Sequence, residues 1–209
     1  LGSLVGITLG LTGAGGAIIA VPLLIFGLHL AVAEAAPIAL LAVSLSAAIG
    51  AALALKLGKV RYRAAGLIAV SGVLTAPIGT WAAHKLPNTP LTLLFAIVLA
   101  YIALHMLRQS RTGTAAARIE ALPPAAVPCQ LNAAIGRLIW TEPCARALAI
   151  SGAVAGSLSG LLGVGGGFVV VPALRKATNL QMQSILATSL AVIALISEAG
   201  VASAGLSGE

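Results

Sequence analysis

The 209-residue chain contains no Asp, and five Glu are its only acids. Charged residues make up 8% of it and aromatics 3%. A soluble domain carries about 25% charged residues, so a water-soluble globule is excluded. With so few aromatics and no basic-aromatic interleaving, the chain lacks the stacking platforms of a nucleic-acid binder, although its net charge is +7. It has no GK[ST] step, so no P-loop, and no HExxH, paired-Asp or Ser-His pattern that would suggest an enzyme. Cys129 and Cys144 sit in neither a CxxC nor a His-paired arrangement, which leaves no zinc site. They are expected to be free thiols in a cytoplasmic connection.

What remains is apolar and rich in small residues: 59% hydrophobic, with 24 Gly and 10 Pro. That composition predicts an all-α polytopic bundle of transmembrane helices, in which small residues let backbones approach closely. Six stretches reach the length of a span, about 20 residues: Leu4–Leu28, Ala33–Leu55, Ala64–Ala83, Leu91–Leu107, Ala147–Ala173 and Met182–Ala204. The opening segment has no basic region and no clear cleavage site, so it is not read as a signal peptide. Basic residues cluster between spans two and three (Lys56, Lys59, Arg61, Arg63) and between spans four and five (Arg108, Arg111, Arg118, Arg137, Arg146). The positive-inside rule puts both connections in the cytoplasm, with the N-terminus inside. Arg175 and Lys176, after span five, would then face outward, the one violation.

Gln109–Pro143 holds four prolines and reads as a cytoplasmic linker, with a short surface helix around Leu131–Ile139. On either side of it the sequence repeats. GITLGLTGAGGAIIAVPLL at Gly6–Leu24 matches GSLSGLLGVGGGFVVVPAL at Gly156–Leu174 in nine of 19 positions at an offset of 150. The expected organisation is a first repeat of four spans over 1–108, a linker over 109–145, and a second repeat over 146–209 that stops after two spans. Four spans per repeat would make the halves parallel. A re-entrant segment in the first span would make them inverted.

Each repeat opens with a glycine-interrupted helix followed by Pro. Glycine costs a helix about 1 kcal/mol, and Pro removes a backbone hydrogen bond. Backbone opened within a membrane is tolerated only where it is buried in protein or lines a cavity. Broken helices at matching places in two halves therefore point to a transporter's binding site, and exposed N–H groups favour an anion. The candidate substrate-binding residues are Gly13, Gly15, Gly16 and Pro22 in the first repeat and Gly163, Gly165, Gly166, Gly167 and Pro172 in the second. Thr188 and Ser189 are candidate hydroxyl donors in span six, as are Ser44 and Ser46 in span two. Glu198, the one acid deep in a span and expected near its cytoplasmic end, is the candidate for proton coupling. The competing role for the glycines is close helix packing, and Gly6/Gly10 and Gly156/Gly160 fit its small-xxx-small spacing.

The chain resembles the sulfite exporter TauE/SafE family of bacterial membrane permeases. The resemblance rests on Gly156–Ser197, with its GVGGG, the following Val171-Pro172 and ATSL at Ala187–Leu190. In the first repeat it rests on GLTGAGGAIIAVPLL, GKVRYR at Gly58–Arg63 and Pro77-Ile78-Gly79. It implies a multi-pass protein of the bacterial inner membrane, a secondary permease for sulfite, sulfonates or other organosulfur anions. The expected partners are the small anion and the lipid bilayer, with no cofactor, metal or nucleic acid, and with room for a homo-oligomer. The alternative is a structural or assembly subunit of a membrane complex that carries no substrate.

Overall fold

The computed structural model describes residues 21, 27, 32–111, 129, 131–132, 137–138 and 140–206. Six helices run through them: α1 (Val32–Lys56), α2 (Tyr62–Lys85), α3 (Asn88–Arg111), α4 (Glu142–Leu162), α5 (Gly167–Ala177) and α6 (Met182–Leu206). α1, α2, α4 and α6 are long and apolar enough to cross a membrane. The shortest of these, 21 residues, is roughly 31 Å long at 1.5 Å per residue, about the thickness of a bilayer's hydrocarbon core. The first expected span lies outside the described residues apart from Val21 and Gly27.

Local chemistry sets the helix ends. Gly58 takes a left-handed φ of 65°, and its N–H reaches Leu55 O at 3.0 Å to close α1. Thr141 caps α4 by accepting from the Cys144 N–H, with Pro143 in the first turn. In the linker, Leu131–Asn132 (β1) and Arg137–Leu138 (β2) form an antiparallel ladder in place of the expected surface helix. Gly136 lies between them and weakens a helix there.

Four contacts gather the helix ends on one side. Lys59 Nζ donates to Gln183 Oε1 at 3.0 Å, and the Arg61 N–H donates to Thr188 Oγ1 at 3.1 Å. Cys129 is disulfide-bonded to Cys144 and donates its N–H to Ala177 O at 2.9 Å. The end of α1, the starts of α2, α4 and α6, and the end of α5 therefore share one end of the bundle. The two cysteines expected to be free thiols are paired in the structure, with Cys129 held between the end of α5 and the first turn of α4.

α2 and α4 run parallel on a seam of small residues. Gly152 abuts Ile68 and Ser71, Gly156 abuts Gly72, and Gly160 abuts Ala76 and Thr80. A Cβ at any of these glycines would drive into the neighbouring backbone, so the spacing serves close packing. Thr75 Oγ1 crosses the seam to Ala153 O at 2.9 Å. α1 and α6 run antiparallel, with Gly50 against Leu190 and Gly200 against Leu40. The outer face is apolar: Leu41, Leu45, Ile49 and Leu53 recur every fourth residue of α1 and are all exposed, as a lipid-facing stripe requires. On α2, exposed Tyr62 and Trp81 stand 19 residues apart, roughly 29 Å along the axis, the separation of two aromatic belts. Lys85 Nζ lies 4.1 Å from the Trp81 ring centroid.

Candidate functional site

The expected span Ala147–Ala173 is not one helix. α4 ends at Leu162 and α5 begins at Gly167. Between them Gly163, Gly165 and Gly166 take left-handed φ values of 70°, 69° and 66°. Three such residues within four positions turn the chain back on itself, a path open to Gly at no steric cost. Gly163 closes α4 with its N–H on Ser159 O at 2.8 Å. Gly166 lies against Ala155, two turns back along α4, so α5 descends antiparallel to α4 from that level. The hairpin enters and leaves the bundle at the same end, and this returns Arg175 and Lys176 to the end that holds Lys59, Arg61, Arg63 and Arg146. The outward placement expected for Arg175 and Lys176 is thereby corrected.

The break sits deep. Cys144 and Ala155 are 11 residues apart on α4, roughly 16 Å, about half the hydrocarbon thickness. It lies between two packed clusters. Val170, Val171 and Leu174 of α5 join Ile68, Leu148 and Ile185 on the basic side. Val164 and Phe168 join Val21, Val43, Phe95 and Ile193 on the other. The first amides of α5 to find a carbonyl are Val169 and Val170, both on Gly166 O at 3.0 and 3.2 Å. The N–H groups at the very start of a helix have no carbonyl within it to bond, so α5 presents the donor-rich, positive end of its dipole to the bundle interior. Among the described residues, no Lys or Arg interrupts α4 beyond Arg146, α1 before Lys56, or α6 at all.

Two hydroxyls stand out beside this turn. Seven Ser and Thr side chains are buried among the described residues: Ser44, Thr80, Ser159, Thr178, Thr188, Ser189 and Ser197. Five donate to a carbonyl three or four residues earlier, the usual resolution for a hydroxyl in a helix. Ser159 Oγ and Ser197 Oγ have no partner, and both residues are 0% exposed. An orphaned buried hydroxyl costs about 1–3 kcal/mol. A Cβ on Gly165 would fall 3.2 Å from Ser197 Oγ, 3.3 Å from Val43 Cγ1 and 3.4 Å from Ile193 Cγ2. Gly165 therefore faces α1 and α6 with Ser197 directly before it. Ser159 lies one helical turn beyond Ala155, on the stripe of α4 that meets Gly166.

Of the residues expected at a site, Gly163, Gly165, Gly166 and Gly167 form one turn, and Pro172 lies within α5 below it. Thr188 and Ser189 are elsewhere. They sit in the second turn of α6, where Thr188 Oγ1 donates to Ser184 O at 2.6 Å and accepts the Arg61 N–H. Ser189 Oγ donates to Leu186 O at 2.8 Å. Ser44 and Ser46 likewise bond back within α1. Glu198 is on an exposed face of α6, 16 residues from Met182. That places it towards the end opposite the basic residues, not near the cytoplasmic end as expected, because the α4–α5 hairpin reverses the direction assumed for α6. Gly13, Gly15, Gly16 and Pro22 lie outside the described residues. Sequence reasoning did not single out Ser159, which lies in the glycine-rich Gly156–Leu174 motif, or Ser197, which lies in the apolar run of α6; only folding leaves their hydroxyls unbonded.

The sulfite exporter TauE/SafE family pattern matches the chain over residues 1–209. The chain belongs to this family. Two curated relatives come from Xylella fastidiosa, and both are described as a probable membrane transporter protein. The one from strain 9a5c is 30% identical over 197 residues, spanning 92% of this chain and 67% of the relative. The one from strain Temecula1 is 32% identical over 197 residues with the same coverage. No solved structure matches. This TauE/SafE chain is thus a membrane transporter, and four helices among the described residues are long and apolar enough to cross a bilayer.

Proposed function

We propose that this TauE/SafE protein is a secondary transporter of a small anion in the bacterial inner membrane, with sulfite, sulfonates and other organosulfur anions as its substrates. The observation that carries this reading is the break at Gly163–Gly167. A helix start and a glycine turn are buried near mid-bundle, where opened backbone is costly unless a ligand or a cavity meets it. Interrupted helices of this kind place half-helix N-termini against anionic groups in other secondary transporters. The family pattern, which is that of a sulfite exporter, supports the substrate class.

The mechanism is alternating access between inverted repeats. α1 and α6 begin and end at positions 150 residues apart, the offset that aligns the glycine motifs. They cross antiparallel, and their contacts are reciprocal: Gly50 meets Leu190, while Gly200 meets Leu40. Each of these residues is the 150-offset counterpart of one in the other contact, as a pseudo-two-fold axis in the membrane plane requires. The re-entrant α4–α5 hairpin supplies the change of parity that turns a parallel duplication into an inverted one. One half rocks against the other along the α1–α6 contact, and the anion at the α4–α5 break is exposed to each side in turn. The basic end faces the cytoplasm.

The test is uptake of radiolabelled sulfite into proteoliposomes holding the full-length transporter, with and without an imposed pH gradient and with unlabelled sulfonates as competitors. Gradient-dependent, sulfonate-sensitive uptake is expected. Uptake no greater than in empty liposomes, from folded protein, returns the chain to the role of an assembly subunit.

A further inference from the structure

We propose that Ser197 and Ser159 are substrate-binding residues: their hydroxyls donate to the oxygen atoms of an oxyanion held against the Gly163–Gly167 turn and the first N–H groups of α5. This inference rests on the anion-transport reading and assigns the side chains of the same site.

Three observations converge. First, among the described residues these two are the buried hydroxyls left unbonded, whereas the other five satisfy themselves on carbonyls of their own helix. A serine in a helix interior reaches such a carbonyl readily, so an unbonded one is turned to another purpose. Second, both are placed at the break: Ser197 Oγ stands 3.2 Å from where a Gly165 Cβ would lie, and Ser159 follows Ala155, the neighbour of Gly166. Gly165 has no Cβ, which leaves the line from Ser197 to the turn open. Third, Ser159 comes from the re-entrant hairpin and Ser197 from α6, two elements of the second half, and the turn between them faces Val43 of α1, so an anion held there lies at the surface along which one half moves on the other. The donors are neutral, since the nearby helices carry no Lys or Arg at this depth. Such a site holds an anion without the deep trap that a buried cation would make, and release remains possible.

The chemistry separates this role from a structural one. Removing a buried, unpartnered hydroxyl removes its desolvation penalty. Ser197→Ala and Ser159→Ala should therefore leave the thermal stability of the anion-free protein unchanged or raised. The same variants should lose stabilisation by added oxyanion and raise KM for uptake by about tenfold or more, the loss expected for a hydrogen bond to a charged group. The experiment measures unfolding temperature for the full-length protein and both variants, each with sodium sulfite, sulfate and sulfoacetate, beside uptake of radiolabelled sulfite.

Four outcomes are distinct. Anion-dependent stabilisation that vanishes in the variants, with KM raised, establishes the site. Stabilisation lost in the variants while the parent transports nothing keeps the site and discards transport. Normal transport with unchanged KM and stabilisation in both variants overturns the serine assignment and leaves the transporter reading intact. No stabilisation of the parent by any of the three anions overturns the assignment as well.

Discussion

Gly50 of α1 lies against Leu190 of α6, and a Cβ on Gly50 would meet Leu190 Cδ1 at 3.2 Å. The reciprocal pair is Gly200 against Leu40. If the two halves are related by a pseudo-two-fold, equivalent insults to the two pairs should have equivalent effects. Gly50→Ile and Gly200→Ile are each expected to lower stability by about 1–3 kcal/mol through overpacking. Thermal unfolding of the purified variants checks this, and a cost confined to one side would speak against the symmetry.

Two glycines 10 residues apart should fail in different ways. Gly156 lies on the Gly72 backbone, so Gly156→Leu is expected to separate α2 from α4 and abolish folding. Gly166 has φ 66° and meets Ala155 at the turn. Gly166→Leu adds about 1–2 kcal/mol for a left-handed non-Gly residue and fills the break. Transport should vanish while most membrane insertion survives. Uptake compared with the folded fraction in detergent decides it; equal loss of both would make Gly166 a packing residue.

The re-entrant hairpin is tested by sidedness. Lys59→Cys and Lys176→Cys should be labelled by an impermeant maleimide from the same face of sealed vesicles, the cytoplasmic one, and Lys85→Cys from the other. The test uses a background in which Cys129 and Cys144 are replaced by Ser. Labelling of Lys176→Cys with Lys85→Cys would restore a continuous fifth span.

The Cys129–Cys144 bond closes a loop with a sequence separation of 15, worth about 3 kcal/mol by chain entropy. It lies at the end that the positive-inside rule puts in the cytoplasm, where thiols are kept reduced. The pair is therefore expected to be alkylated by a permeant maleimide in untreated cells, and to resist alkylation after a diamide-type oxidant, with a matching rise in unfolding temperature. A fully bonded pair in untreated cells would move this end to the outer face.

Thr188 accepts the Arg61 N–H at the start of α2. Thr188→Val keeps the shape and removes that acceptor. The expected cost is about 1 kcal/mol of stability with KM unchanged, measured by unfolding temperature and uptake kinetics. A raised KM with unaltered stability would return Thr188 to the binding site.

Composition alone decided that this is a membrane bundle. Eight per cent charge cannot solvate a globule, and apolar stretches of spanning length have few other uses. The approximate helix positions, the glycine break and the clustering of basic residues were also legible, because each depends on local sequence. The tertiary structure decided what distance along the chain hides. Three left-handed glycines turn α5 back along α4, which brings Arg175 and Lys176 to the basic end, reverses α6 and carries Glu198 away from the end assigned to it. Cys129 meets Cys144 because the turn at Gly163–Gly167 brings the end of α5, to which Cys129 is bonded, back beside the start of α4. Thr188 and Ser189 looked like donors by residue type, but their hydroxyls are taken up by carbonyls of their own helix, and Thr188 also accepts from Arg61. Ser159 and Ser197 looked like any other serines. Whether a buried hydroxyl is satisfied depends on its rotamer and on its neighbours from other helices, and the fold sets both.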